Sequence, residues 1–224
     1  LKIIKNKDNL GFGKACNSGV KNSQSDFILF LYLYAMVYED TFHKLFDYIE
    51  KNDNSDVVVY GVQLIGDDGK VQRTCARFPN LSNFLVKVLG LNKLNREFFK
   101  SFSMEYWNHN ETKIVDQVIG AFFLITKDIF EQLNGFDERF FVYYEELDLS
   151  KRVYDSGYKT IYLSEVKAYH KGGGTSEQVK ALRLFYSTRS SLIYSFKHLG
   201  IFKSIIFMFF VYFIEKKQKT LVIF

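Results

Sequence analysis

The sequence predicts an α/β fold, a mostly parallel sheet with flanking helices, followed by C-terminal amphipathic helices. Three observations carry that prediction. The first is a strand, glycine-rich turn, helix, strand order over roughly the first 33 residues, which is a βαβ pattern. The second is a set of uninterrupted apolar strands, as a sheet covered on both faces requires. The third is a long helical periodicity near the C-terminus.

LKIIK is a short strand candidate, and NLGFGKACNSG after it places Gly11, Gly13 and Gly19 among Asn and Lys. Asn17 to about Ser25 is expected to be helical and to deliver the chain to a buried strand at 27–33. Behind Asp40 and Thr41, a plausible cap, Phe42, Leu45, Phe46 and Ile49 fall at helical spacing. DVVVYGVQLI reads as a strand, GDDGK as a turn and VQRTCARF as the returning arm of a hairpin. Residues 80–113 read as an irregular insertion. QVIGAFFLIT is a strand, KDIFEQLNG a helix closed by Gly135, and a further helix over about 146–155 stops at Gly157 before the strand YKTIYL. From Glu177 to Leu199, the positions Val179, Leu182, Tyr186, Arg189, Ile193 and Phe196 mark one long amphipathic helix ended by Gly200. The organisation expected is a domain over 1–176 and a helical extension over 177–224.

A chain of 224 residues, 47% hydrophobic, can bury a substantial core, and a single proline excludes proline-rich linkers. The net charge of +5 is dispersed except in EKKQK near the C-terminus, so nucleic acid is not an expected partner. That basic run beside the apolar Ile205 to Ile214, ten residues where a span needs about 20, fits peripheral membrane contact or a buried terminal helix. Cys16 and Cys75 form neither a disulfide framework nor a metal spacing, which makes a reducing, cytoplasmic setting the default, at the membrane's cytoplasmic face if the tail binds lipid.

Three motifs carry candidate chemistry. Asn9, Gly11 and Asn17 lie in a glycine-rich turn ahead of a helix, either a cradle for phosphate or sugar or simply a flexible connection. Glu145, Glu146 and Asp148 open a helix, where the dipole favours acids; they are a well-capped surface start or a general base. His170 and Lys171 precede three glycines, a set suited to a diphosphate or incidental to a surface loop.

Taken together, NLGFGKACNSG and QVIGAFFLITKDIFEQLNGFDERFFVYYEELDLSKRVYDSGYKTIYLSEVKAYHKGGG resemble family 2 glycosyltransferases, in particular the rhamnosyltransferase-like branch. The resemblance implies a GT-A-like (Rossmann-like) fold and inverting transfer of rhamnose or a similar sugar. The donor would be a nucleotide sugar, the acceptor a glycan or lipid-linked molecule, and Mg or Mn the expected metal. It assigns Glu146 as base within Glu145-Glu146-Leu147-Asp148, and Gly120 and Ala121 to the sugar site. Asn9, Gly11 and Asn17 fall to the donor loop, His170 with Lys171 to the diphosphate or metal, and Arg189 to a recurrent helical position.

Two departures accompany it. The branch's Leu-Asn-Pro-Asp falls on Leu31, Tyr32, Leu33 and Tyr34, so Tyr34 stands where a metal-binding acid is expected. The family's nucleotide-base segment, two βαβ-type units of about 60 residues, is expected ahead of Leu1, so the chain reads as a domain incomplete at its N-terminus. Weak or absent transfer by this chain alone is therefore expected, with a non-catalytic relative that binds glycan, membrane or a partner transferase as the alternative.

Overall fold

The computed structural model describes residues 3–52, 55–91, 102, 104, 107–172 and 180–221. In chain order the elements are α1 (Phe12–Val20), β1 (Phe27–Leu31), β2 (Ala35–Val37), α2 (Thr41–Lys51), β3 (Val57–Ile65), β4 (Cys75–Ala76) and α3 (Leu81–Leu89). Then come β5 (Lys113–Val115), β6 (Gln117–Val118), β7 (Phe122–Thr126), α4 (Lys127–Gln132), α5 (Glu145–Asp155), β8 (Lys159–His170), α6 (Lys180–His198) and α7 (Ile201–Leu221).

The main sheet runs β1-β7-β3-β8-β2, with β5 also paired to β8. β3 and β8 pair in parallel, and β7 lies antiparallel between β1 and β3. Thus β1, β3 and β8 point one way, the parallel framework the sequence predicts, while β2, β5 and β7 are reversed and make the sheet mixed. Length explains the far edge: β8 spans twelve residues, so β5 occupies its first half and β2 its last three positions.

Side-chain alternation at period two builds two cores from the same strands. Ile28, Phe30, Phe123, Ile125 and Tyr162 face one side with residues of α1, α4 and α5; Phe122, Leu124, Ile161 and Leu163 face the other with Leu45 of α2. Both faces are covered, which is why these strands read as continuous apolar runs. A third cluster joins Phe84 of α3, Phe140, Tyr144, Leu147, Tyr194 of α6, and Phe207 and Val211 of α7.

Several expectations change. The described part of LKIIK, from Ile3, is not a strand, and the first helix begins at Phe12, five residues before the expected Asn17, because Gly11 turns the chain early. The hairpin is reduced to one bridge, Ile65 with Val71; β4 instead pairs β6 in a separate two-stranded sheet. Within 80–113 lies an ordered helix, α3, whose N-cap Asn80 and Asn83 exchange side-chain and backbone hydrogen bonds, a capping box built from two asparagines. The strand expected over 117–126 breaks at residues 119–121, separating β6 from β7. The expected start of the long helix at Glu177, and the last two glycines of the His170 motif, lie outside the described residues.

Phe207 is 1% exposed and stacks on Phe84 with ring centroids 4.6 Å apart. Phe207→Ala is expected to cost about 3–5 kcal/mol, read by urea unfolding at fixed pH. A loss below about 1 kcal/mol would show that α7 does not share this core.

Candidate functional site

Because β1, β3 and β8 run the same way, Leu31, Ile65 and His170 lie at one edge of the sheet, the carboxyl ends where α/β folds place ligands. Gly120 and Ala121, immediately before reversed β7, belong to the same edge. The turn after β1 brings Tyr32 here, its N–H donating to the Ala121 carbonyl at 3.3 Å.

Glu146 is the centre of the arrangement. Its Oε1 accepts from the Gly120 N–H and from the Tyr32 hydroxyl, each at 3.3 Å, while its Oε2 is buried without a hydrogen-bond partner. Burial raises its pKa above the ordinary carboxylate value, offset in part by these donors. Burial, and next the Glu146 charge, raise Glu145 well above its usual value, and its Oε2 is likewise unpartnered. Two adjacent carboxylates with little water hold a proton more readily than isolated ones. The Tyr32 ring meets Phe12 edge-on at 5.3 Å and lies 6.3 Å from the His170 ring. Its hydroxyl would be 2.8 Å from a Cβ placed on Gly120, so residue 120 must be glycine for the phenol to lie against the carboxylate.

The opening of α5 explains how the acids are aimed. Tyr143 and Tyr144 both adopt left-handed backbone, φ 68° and 73°, unusual for non-glycine residues and concentrated in proteins at functional turns. Two residues later the chain turns Asp148 away from Glu146. Asp148 is fully buried; its Oδ1 meets His198 Nε2 and Lys197 Nζ at 2.7 Å each, and its Oδ2 accepts from Arg152 Nε at 2.9 Å. Burial by itself would raise its pKa, but the His198 hydrogen bond and the Arg152 and Lys197 charges outweigh it and leave the carboxyl below its ordinary value. Arg152 also donates to the carbonyls of Leu133 and Gly135. Asp148 therefore ties α5 to α6 and to the 133–135 turn.

The glycine-rich loop is held onto the same turn. Gly11, at φ 80°, has no room for a side chain: a Cβ would lie 2.4 Å from the Phe141 carbonyl oxygen, to which the Phe12 N–H donates. Asn9 Oδ1 accepts from the Gly11 N–H. Asn17 grips Phe136 twice, its amide donating to the carbonyl at 2.8 Å and its oxygen accepting from the N–H at 2.9 Å. Asn17 is thus engaged with backbone, and Asn9 with its own loop.

His170 closes β8 beside β2. Its Nδ1 lies 2.8 Å from Gln72 Oε1, while Gln72 Nε2 donates to the His170 carbonyl at 2.8 Å, and burial lowers the imidazole pKa. Lys171 is exposed, its N–H on the Tyr34 carbonyl. Arg189 donates to the Arg139 carbonyl on the helical side. For Mg or Mn the donor set does not fit: Tyr34 offers no carboxylate, His170 Nδ1 is engaged, and among the described residues no group of three or more His, Cys, Asp or Glu could hold an ion. Both thiols are pushed up to about 12, chiefly by burial, so neither is a nucleophile at neutral pH.

Of the residues the sequence singles out, the structure gathers Glu146, Glu145, Gly120, Ala121 and His170 at one edge of the sheet, and places Asp148, Asn17, Gly11 and Asn9 on supporting contacts. It missed Gln72, which orients His170 from 98 residues away, and Lys197 and His198, which hold Asp148. Nothing local in VQRT or FKHLG signals those partners, because the Gln72 contact is made only when the turn after β3 meets the end of β8, and the Asp148 contacts only when α6 docks on α5.

Residues 1–134 match the family described as Glycosyl transferase family 2. The chain is similar to Rhamnosyltransferase WbbL of Escherichia coli strain K12, 28% identical over 170 residues, 71% of this chain and 60% of that protein. It is also 26% identical over 128 residues to the N-acetylglucosaminyl-diphospho-decaprenol L-rhamnosyltransferase of Mycobacterium tuberculosis strain CDC 1551 / Oshkosh, 57% of this chain and 41% of that one. The chain thus spans between about two fifths and three fifths of these relatives' lengths. Among solved structures it is similar to GalNAc-T7 with UDP, GalNAc and Mn2+, with a TM-score of 0.50 and 16% identity over 75% of this chain and 32% of that one, a GT-A likeness that concerns the fold.

Two outcomes follow from the buried acids. Asp148→Ala is expected to cost about 3–5 kcal/mol at pH 7. Because the folded pKa of Asp148 is depressed below 3.8, its contribution is present above that pH and lost as pH falls through the folded value. The gap between wild type and variant should therefore narrow below about pH 4 in urea titrations. Glu145 has the opposite sign: its raised folded pKa means that stability declines as pH climbs from 4.5 toward that value. Glu145→Gln is expected to raise the Tm at pH 7–8 and to leave it nearly unchanged at pH 4, by scanning calorimetry. A variant less stable than wild type at every pH would contradict the burial of an uncompensated acid.

Proposed function

Since this chain belongs to glycosyl transferase family 2, we propose that it acts in inverting transfer of rhamnose or a similar sugar from a nucleotide sugar to a glycan or lipid-linked acceptor. The observation that carries the reading is the carboxylate of Glu146, fixed by the Gly120 N–H at the carboxyl edge of the sheet. The names of the two rhamnosyltransferase relatives support the choice of sugar.

In this mechanism Glu146 accepts the proton of the acceptor hydroxyl as that oxygen forms a bond to the anomeric carbon. The bond from that carbon to the phosphate oxygen breaks on the opposite face, and the nucleoside diphosphate leaves with the electron pair. Lys171, exposed beside His170, supplies positive charge toward the departing diphosphate, and Glu145, raised by burial and by the Glu146 charge, is the neighbour that tunes its partner. A carboxyl raised by burial is better matched to proton transfer near neutrality than one at its ordinary value. A divalent cation, where one is bound, would neutralise leaving-group charge, but the residues described here do not form a site for it.

A second reading rests on Tyr32. Its hydroxyl lies on Glu146 Oε1 where an acceptor hydroxyl would approach, and Tyr34 stands in the acid position, a combination that favours a non-catalytic relative binding glycan, membrane or a partner transferase. In the transferase reading the Tyr32 side chain swings out through the turn at 32–34, whose Leu33 is 87% exposed. Lipid contact is supported by the outer side of α7, where Phe202, Ile205, Phe209 and Phe213 are exposed, although among the described residues no helix is long and apolar enough to cross a membrane.

Glu146→Gln is expected to lower transfer by about 10²–10⁴-fold while donor binding, followed by calorimetric titration, stays within about twofold of wild type. Undiminished transfer by that variant would remove Glu146 from the base role. Tyr32→Ala separates the two readings: tighter nucleotide-sugar binding supports a swinging gate, and no binding in either protein supports the non-catalytic one.

A further inference from the structure

Gln72 follows β3 and is held on several sides. Its N–H donates to the Leu64 carbonyl at 2.8 Å. Two glycines make room for its amide: a Cβ on Gly66 would lie 3.0 Å from its Nε2, and one on Gly172 3.2 Å from it. Both polar ends of the side chain are engaged by His170, the last residue of β8.

Only one arrangement of protons satisfies that contact. A carbonyl only accepts, so the end of the amide 2.8 Å from the His170 carbonyl is the NH2 group. The other end, Oε1, also only accepts, and it lies 2.8 Å from His170 Nδ1. Nδ1 therefore carries a ring proton. Burial lowers the imidazole pKa, so near neutral pH the ring holds that proton alone and Nε2 is a bare lone pair. Free histidine in water favours the proton on Nε2; the hydrogen bond at the other nitrogen overrides that default here. Among the described residues no group hydrogen-bonds to Nε2.

The His170 ring centroid is 6.3 Å from that of Tyr32, whose hydroxyl is on Glu146, so one phenol separates the imidazole from the carboxyl. Nε2 and Glu146 Oε1 are both acceptors, and a ligand meets them with O–H groups. An ionised phosphate oxygen is an acceptor too and has no proton to give Nε2; the Lys171 ammonium is its complement. One lone pair, with Tyr34 standing where an acid is expected, does not hold a hard cation either.

We propose that Gln72 is a positioning residue that fixes His170 as an Nε2 hydrogen-bond acceptor, and that this nitrogen binds a sugar hydroxyl of the nucleotide-sugar donor while the diphosphate is left to Lys171. The inference rests on the transferase reading above. It gives different partners to two neighbouring residues that the family resemblance places together on the diphosphate or metal.

The test is nitrogen NMR of the intact chain, labelled at histidine and held near pH 8, with the His170 signals assigned by their loss in His170→Gln. The Nδ1 signal is expected in the protonated range and Nε2 in the unprotonated range; the reverse in wild type overturns the proposal. Gln72→Met, similar in size without the amide, should move His170 toward the Nε2–H tautomer, which a merely structural glutamine would not do. An unchanged tautomer in that variant removes Gln72 from its role. UDP-rhamnose and dTDP-rhamnose are then titrated beside UDP, dTDP and MgCl2. A rhamnose nucleotide is expected to move the Nε2 signal and leave it unprotonated, while UDP, dTDP and MgCl2 leave it in place. Movement with a diphosphate or with MgCl2 alone, or protonation of Nε2 by any of them, assigns the nitrogen to phosphate or metal and overturns the hydroxyl contact. In calorimetric titration Gln72→Met should bind a rhamnose nucleotide about three- to tenfold more weakly and the matching diphosphate within about twofold of wild type. Equal weakening of both counts against the sugar contact. Should Gln72→Met fail to fold, the wild-type tautomer and its ligand shifts decide. If no nucleotide binds a chain that shows the Nδ1–H tautomer, the transferase reading and the sugar contact fall while the positioning role stands; nucleotide-sugar binding with the opposite tautomer overturns the role of Gln72 alone.

Discussion

The buried ion cluster around Asp148 is the constraint on which the site depends. One carboxylate with no exposure contacts Arg152, Lys197 and His198, and Arg152 extends the network to two carbonyls of the 133–135 turn. Desolvating one acid is tolerable only because several donors surround it, so removing any of them leaves charge stranded. The geometric consequence is more important than the energy. With α5 pinned to α6 at Asp148, the first turn of α5 has one orientation, and Glu146 points across the sheet edge to Gly120.

Around that fixed helix start, the molecule converges its backbone turns. Gly11 lies against the Phe141 carbonyl, Asn17 holds both polar groups of Phe136, and Tyr143 and Tyr144 adopt a left-handed turn. The first two contacts join the Gly11 turn and α1 to the segment between α4 and α5, of which the tyrosine turn is the end. The result is a rigid frame that keeps two carboxylates poorly solvated, with raised proton affinity, at the ligand-binding edge of an α/β sheet. Stability is given up locally, since the Oε2 atoms of both glutamates are buried without a partner.

Tyr32 changes what that frame presents to a ligand. Where an asparagine would leave space, the phenol reaches Glu146, packs against Phe12 and uses the absence of a side chain at Gly120. Proton affinity of the phenol is raised as well, first by burial and then by the two glutamates, so it stays a hydroxyl donor. A carboxylate and a hydroxyl donor are thus paired internally, and any ligand reaching Glu146 Oε1 competes with that contact. The helical side supplies the opposite environment, an apolar cavity bordered by Lys87 and by Tyr144, the residue before Glu145.

The sequence by itself determined most of the local elements and the grouping of the three acids at the start of one helix. Unbroken apolar strands predicted a sheet covered on both faces, and the alternation of Phe122 to Ile125 between two cores is its direct expression. Glycines at 135, 157 and 200 marked turns that have positive φ, since few other residues enter that region cheaply. The order of three motifs pointed to the family before any geometry was known. Only the tertiary structure decided which of Glu145, Glu146 and Asp148 reaches the ligand edge and which becomes a strut. That choice depends on Lys197 and His198, some 50 residues away in sequence, and on a reversed β7 that sets Gly120 beside Glu146. Sequence spacing records the rise of a helix, but the identity of the group facing each side chain is set by which elements pack together, and no local pattern encodes that.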